Sequence, residues 1–170
     1  MDIEEKIIKN FSSNNKYIGD DCAYLEDTKQ LISTDSIAEY THFDLRKFTA
    51  MQIAHRLFVS NFSDIQSSGG EPKYALFNIS FPKKKSILAL SISKHLRNMI
   101  KKNKITIIGG DTTSSKDIFL SLTLISKKIE LSLKKKDYYE LVKSLIIYHY
   151  DKAYKKTRAE NHSDISVEIN

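Results

Sequence analysis

The sequence is poor in glycine, proline and cysteine. Its 170 residues include 5 Gly, 2 Pro, 1 Cys and no Trp. A single cysteine, Cys22, excludes an intrachain disulfide framework and fits the reducing cytoplasm. No Cys/His spacing suits a zinc site. No run of about 18 apolar residues occurs, so no membrane-spanning helix is expected. The acidic start, Met1-Asp2-Ile3-Glu4-Glu5, lacks the apolar stretch of a signal peptide. Low-complexity linkers and internal repeats are missing as well. What is present, 41% hydrophobic and 28% charged residues, is enough to pack one domain with a tail.

The net charge is +6, carried mostly by lysine. It divides evenly, +3 over residues 1–126 and +3 over 127–170, so the excess is spread along the chain, and the runs Lys83-Lys84-Lys85, Lys101-Lys102 and Lys134-Lys135-Lys136 read as solvated helix ends and faces. Without an aromatic-interleaved basic motif, no nucleic-acid partner is expected.

The few glycines are Gly19, Gly69, Gly70, Gly109 and Gly110, and each lies near an aspartate. Glycine allows a positive φ and a close backbone approach to a ligand. No glycine follows Gly110.

Hydrophobic spacing predicts a helix over 2–11, through Ile3, Ile7, Ile8 and Phe11. Short strands are predicted over 22–26 and 30–33, and an extended segment over 37–43. A long helix is expected over 46–67, stopped by Ser67-Ser68-Gly69-Gly70. A strand over 73–81 ends at Pro82, and a second long helix covers 84–103. A β-branched strand over 105–108 runs into Gly109-Gly110-Asp111. A last strand over 118–125 places Leu120, Leu122 and Leu124 on one face. The expected fold class is α/β (α+β), a mixed sheet flanked by two long helices, over residues 1–126. Residues 127–170 read as a divergent tail, with one helix over 137–156 and a loose polar end over 158–170.

Four segments combine aspartate with small or hydroxyl residues where a strand is expected to meet a loop. They are Ile18-Gly19-Asp20-Asp21, Ser33-Thr34-Asp35, Asn61-Phe62-Ser63-Asp64 and Gly109-Gly110-Asp111-Thr112-Thr113. Converging carboxylates suit Mg²⁺, which keeps coordination positions for water and phosphate. The pattern therefore points to Mg²⁺–nucleotide binding and phosphoryl transfer. Any one aspartate can equally cap a helix or a turn. Neither a Walker loop nor a Gly-x-Gly-x-x-Gly fingerprint is present. Cys22 beside Asp21 reads as a small buried residue, because neighbouring carboxylates raise a thiol pKa.

The order of the motifs adds a resemblance. Ile18-Gly19-Asp20-Asp21-Cys22-Ala23, Ile32-Ser33-Thr34-Asp35, His42-Phe43, Asn61-Phe62-Ser63-Asp64-Ile65, Gly70-Glu71-Pro72 and Gly109-Gly110-Asp111-Thr112-Thr113 closely resemble the N-terminal half of the bacterial thiamine-monophosphate kinase family. That family shares a superfamily with aminoimidazole ribonucleotide synthetase and selenophosphate synthetase. The resemblance covers about residues 3–126. It implies the superfamily's α/β N-terminal domain, pairing with a second copy in a homodimer. It also implies ATP- and Mg²⁺-dependent phosphorylation of thiamine monophosphate to thiamine diphosphate. Asp21, Ser33, Thr34, Asp35, Asp64 and Asp111 match the family's metal positions, Gly110 with Asp111 its nucleotide loop, and His42 a substrate contact. Asp20 is the less certain of its pair.

The resemblance stops after the strand over 118–125. The family's second domain, and an arginine expected to touch ATP, have no counterpart. The expectation is a truncated or frameshifted copy that has lost most of the catalysis, since phosphoryl transfer needs all parties held together. Two alternatives stay open: a non-catalytic Mg²⁺–nucleotide-binding or dimerisation module, and a sibling ATP-dependent enzyme of the same superfamily.

Overall fold

The computed structural model describes residues 2–12, 15, 17, 18 and 20–128. The expected tail helix and loose end lie outside the described residues. The elements are α1 (Ile3–Ser12), β1 (Ala23–Leu25), β2 (Gln30–Ala38), α2 (Ala50–Ser67), β3 (Gly70–Phe81), α3 (Ser86–Lys102), β4 (Thr106–Ser114) and β5 (Phe119–Lys128). A short 3-10 turn, Lys83–Lys85, leads into α3. None of the described helices is long and apolar enough to cross a membrane.

The five strands form one mixed sheet in the order β1-β2-β5-β3-β4. β5 is last in sequence but central in space, antiparallel to both β2 and β3. β4 is parallel to β3. β2-α2-β3 and β3-α3-β4 are both parallel crossovers running the same way across the sheet, and α2 and α3 pack side by side against it.

The core lies under those helices. Ile53, Leu57 and Ile65 of α2 and Ile92, Leu96 and Ile100 of α3 pack over Ala75 and Ile79 of β3. Leu120, Leu122 and Leu124 of β5 are fully buried beneath them, as the alternation predicted. α1 forms as expected, yet its Ile3, Ile7, Ile8 and Phe11 are all exposed.

Several boundaries differ from expectation. β2 is one strand through Ser33-Thr34-Asp35 to Ala38, because its ladder with β5 runs unbroken from Gln30↔Lys127 to Ala38↔Phe119. Residues 39–43 leave the strand in a tight loop. α2 starts at Ala50, where Thr49 and Gln52 build a reciprocal capping box. β3 begins at Gly70, and β4 continues through Gly109-Gly110-Asp111 to Ser114. Thus Asp35 and Asp111 lie inside strands, not at the strand ends where a loop begins.

Candidate functional site

Strand alternation divides the predicted residues. In β2, Ser33 and Asp35 share the helix-covered face with buried Leu31 and Ile37, while Thr34 and Ser36 are on the other. α2 presents Asn61 and Asp64, three apart and so on one helical face, toward that part of β2.

β1 pairs with β2 only as far as Ile32, so β2 lacks a ladder neighbour there afterwards. Asn61 supplies one. It is fully buried, its Oδ1 accepts the Asp35 N–H at 3.0 Å, and its amide donates to the Leu57 carbonyl at 3.1 Å. One turn further on, Asp64 Oδ2 accepts the Ser33 hydroxyl at 3.3 Å.

The Asp64 carboxyl is pushed up to about 6, first by burial, then by the charges of Asp35 and Asp21; the Ser33 hydrogen bond offsets part of this. Cys22 is buried in the same corner. Burial raises its thiol most; Asp64 and Asp20 add to the rise, while hydrogen bonds with Ser68 and Ser33 oppose it. Asp64 with its Ser33 partner, and with the charges of Asp35 and Asp21 acting on it, therefore makes this corner acidic.

Thr34 and Asp111 belong to the opposite face, away from α2 and α3. Thr34 Oγ1 lies 2.8 Å from Thr123 Oγ1 and 3.4 Å from the Leu122 carbonyl, to which it donates. Ser80 Oγ meets Thr113 Oγ1 at 2.6 Å, which puts Asp111, two residues before Thr113, on the same face. Ser36, Ser121, Asn78 and Asp111 make one polar row across four strands. Asp111 Oδ1 accepts the Thr112 N–H at 2.8 Å. It is three strand spacings, roughly 14 Å, from Asp35. Among the described residues no three His, Cys, Asp or Glu side chains converge closely enough to hold a metal ion.

Gly110 has a close-approach role. Its φ is +150°, and a Cβ built there would lie 1.8 Å from the Phe77 carbonyl oxygen. Beside it, β4 bulges at Ile108, between the pairs Ala75↔Ile107 and Leu76↔Gly109. At the other end of the sheet, a Cβ on Gly70 would come within 2.6 Å of both Leu31 Cδ1 and Ser126 Oγ.

His42 occupies a third place, beyond the end of β2. Its N–H donates to the Ala38 carbonyl at 2.8 Å. Ala38 is three residues, roughly 10 Å, along the strand from Asp35. The structure thus bonds Ser33 to Asp64, with Asp35 and Asp21 near enough for their charges to act on it, and leaves Thr34, Gly110, Asp111 and His42 outside that corner. Sequence reasoning passed over Asn61 as an anchor, although a polar residue on the apolar stripe of a helix was the available signal. It also passed over the buried Glu39 described below.

Comparison with known proteins adds three findings. The family described as AIR synthase related protein, N-terminal domain, matches residues 19–127. The thiamine-monophosphate kinase of Buchnera aphidicola subsp. Schizaphis graminum is 35% identical over 131 residues, 73% of this chain and 39% of that protein. The Leptospira interrogans thiamine-monophosphate kinase is 38% identical over 110 residues, 62% of this chain and 35% of its own length. Among solved structures, AaThiL complexed with AMPPCP and TMP superposes with a TM-score of 0.64 at 28% identity, covering 72% of this chain and 40% of that one. The chain spans less than two fifths of the length of these two curated relatives.

Proposed function

The chain belongs to the AIR synthase related protein family through its N-terminal domain, and from that premise we propose that it serves thiamine-monophosphate kinase chemistry, binding Mg²⁺–ATP and thiamine monophosphate in the cytoplasm. The observation that carries the reading is the acidic corner. Asp64, the Ser33 hydroxyl bonded to it and the neighbouring Asp35 and Asp21 offer only oxygen donors, and a hard cation drawn in among them would offset the burial that chiefly raises the Asp64 carboxyl and the charges that add to it. Mg²⁺ in this corner would neutralise phosphate charge during in-line transfer.

This chain's residues then have separate tasks. Asp64, with Asp35 and Asp21 drawn closer than they stand in the structure, would hold the cation, and Ser33 would fix the Asp64 carboxylate. Asn61 holds the β2 backbone so that Asp35 keeps its place. Gly110 and Asp111 on the face away from α2 and α3 receive the nucleotide, with Thr34 as a further oxygen donor. His42 contacts thiamine monophosphate. A second copy completes the assembly as a homodimer.

The separation of Asp111 from the corner favours a second reading, a module that binds Mg²⁺–nucleotide without turnover. One experiment decides between them. Thiamine diphosphate formation from ATP and thiamine monophosphate is measured with the full chain, alone and with the complementary portion of a full-length relative added. Product in either arm supports the kinase. Mg²⁺-dependent ATP binding without product in both arms selects the module, and neither binding nor product overturns both.

A further inference from the structure

The loop over 39–43, which carries His42, is tied down from several sides. Glu39 heads it, with its side chain only 1% exposed. Both carboxylate oxygens accept from Lys85 Nζ, one of them at 2.6 Å, and Oε2 also accepts the Ile118 N–H at 3.0 Å. The Glu39 N–H donates to the Ile118 carbonyl at 2.9 Å. One side chain therefore links the end of β2 to the turn after β3 and to the residue before β5. Burial alone would raise the Glu39 carboxyl, but Lys85 and the Ile118 amide outweigh it and hold the group below its ordinary value.

Within the loop, Tyr40 takes a φ of +66°, unusual for a residue with a side chain, and its N–H donates to the Phe43 carbonyl at 2.8 Å. Arg56 Nη1 donates to the His42 carbonyl at 2.6 Å. The imidazole is tethered too, because the Ala38 N–H donates to His42 Nδ1 at 3.0 Å. A backbone amide can only donate, so Nδ1 carries a lone pair and the proton of the neutral ring is on Nε2.

We propose that His42 is a pre-set hydrogen-bond donor, its neutral ring locked in the Nε2–H form, and that Glu39 is the positioning residue that holds it so by anchoring the loop over 39–43. The ring then offers a ligand one N–H, suited to a phosphate oxygen or a pyridine-like nitrogen. That the ligand is thiamine monophosphate rests on the function proposed above.

The test begins with ¹⁵N NMR of histidine-labelled full-length chain without ligand, His42 being assigned from the His42→Asn spectrum. The expected result is a pyridine-like Nδ1 and a proton-bearing Nε2; the reverse tautomer overturns the proposal whatever the chain binds. Glu39→Gln keeps an acceptor for Ile118 but loses the charge facing Lys85, and a mixture of both tautomers is expected. Should that variant not fold, Lys85→Met tests the same anchor, with Lys85→Arg expected to retain the wild-type signals. A wild-type tautomer in every folded anchor variant overturns the role of Glu39. Binding of thiamine monophosphate gives the separate readout. His42→Gln extends an amide to where Nε2 sits, whereas the His42→Asn amide stops near Nδ1. Affinity is expected to fall about 10-fold in the Asn variant and less in the Gln variant. With the tautomer confirmed, wild-type affinity in both variants overturns the substrate reading of His42 and leaves the locked ring standing.

Discussion

Asp64 shows how one side chain carries both a cost and a use. Its carboxyl titrates at about 6 against an ordinary 3.8, because it is half-buried beside Asp35 and Asp21. A raised acid stabilises the fold below 3.8, and that contribution is lost as pH rises through 6; above it, the ionised group is a burden. Asp64→Asn is therefore expected to stabilise the chelator-treated chain above pH 6 by about 1 kcal/mol after allowance for solvent screening, read as a higher melting temperature. Below pH 3.8 the gain should vanish. Added Mg²⁺ should stabilise the wild type and not the variant. Thermal melts across pH, with and without the ion, check the sign. The motif Asn61-Phe62-Ser63-Asp64 made Asp64 visible in the sequence. Its coupling to Asp21 and Asp35 was not visible, since it depends on packing α2 against β2.

At the level of elements, β4 is the instructive strand. Local glycine preference ends the strand at Ile108, yet the ladder with β3 carries it to Ser114. Eight paired positions outweigh two poor strand formers. Gly110 is compatible with that ladder because it has no side chain to meet Phe77. Gly110→Ala is expected to destabilise the chain by about 3 kcal/mol, read as a lower urea midpoint. A midpoint within error of wild type would show that the strand shifts freely there. β2 teaches the same lesson, because its polar Ser-Thr-Asp segment reads locally as a break and pairing with β5 keeps it extended. α2, by contrast, was legible at its C-terminal end, where Ser67-Ser68-Gly69-Gly70 stops it, while the Thr49–Gln52 capping box sets its start four residues after the expected one.

On the scale of the whole molecule, α2 and α3 cover one side of the sheet. The other face carries Thr34, Ser36, Ser121, Thr123, Asn78, Ser80, Asp111 and Thr113. At its margin β4 is exposed along its whole length and presents Ile107 and Ile108. An exposed edge with apolar side chains is a template for another chain. Sedimentation of the full chain is expected to show a dimer, and Ile108→Lys, at the bulge, to shift it toward monomer. A wild-type chain that stays monomeric at every concentration would sink the homodimer.

By itself the sequence determined what depends on neighbours along the chain. Helical and strand periodicity, the stop of α2, the buried leucines of β5 and the ordered acidic motifs all follow from spacing and side-chain chemistry. Only the tertiary structure decided which of those motifs meet. The central position of β5 and the pleat of β2 put Ser33 and Asp35 against Asp64, and turn Thr34 to the same face as Asp111. The physical reason is that strand order and side-chain facing are set by long-range pairing, and no local propensity encodes them.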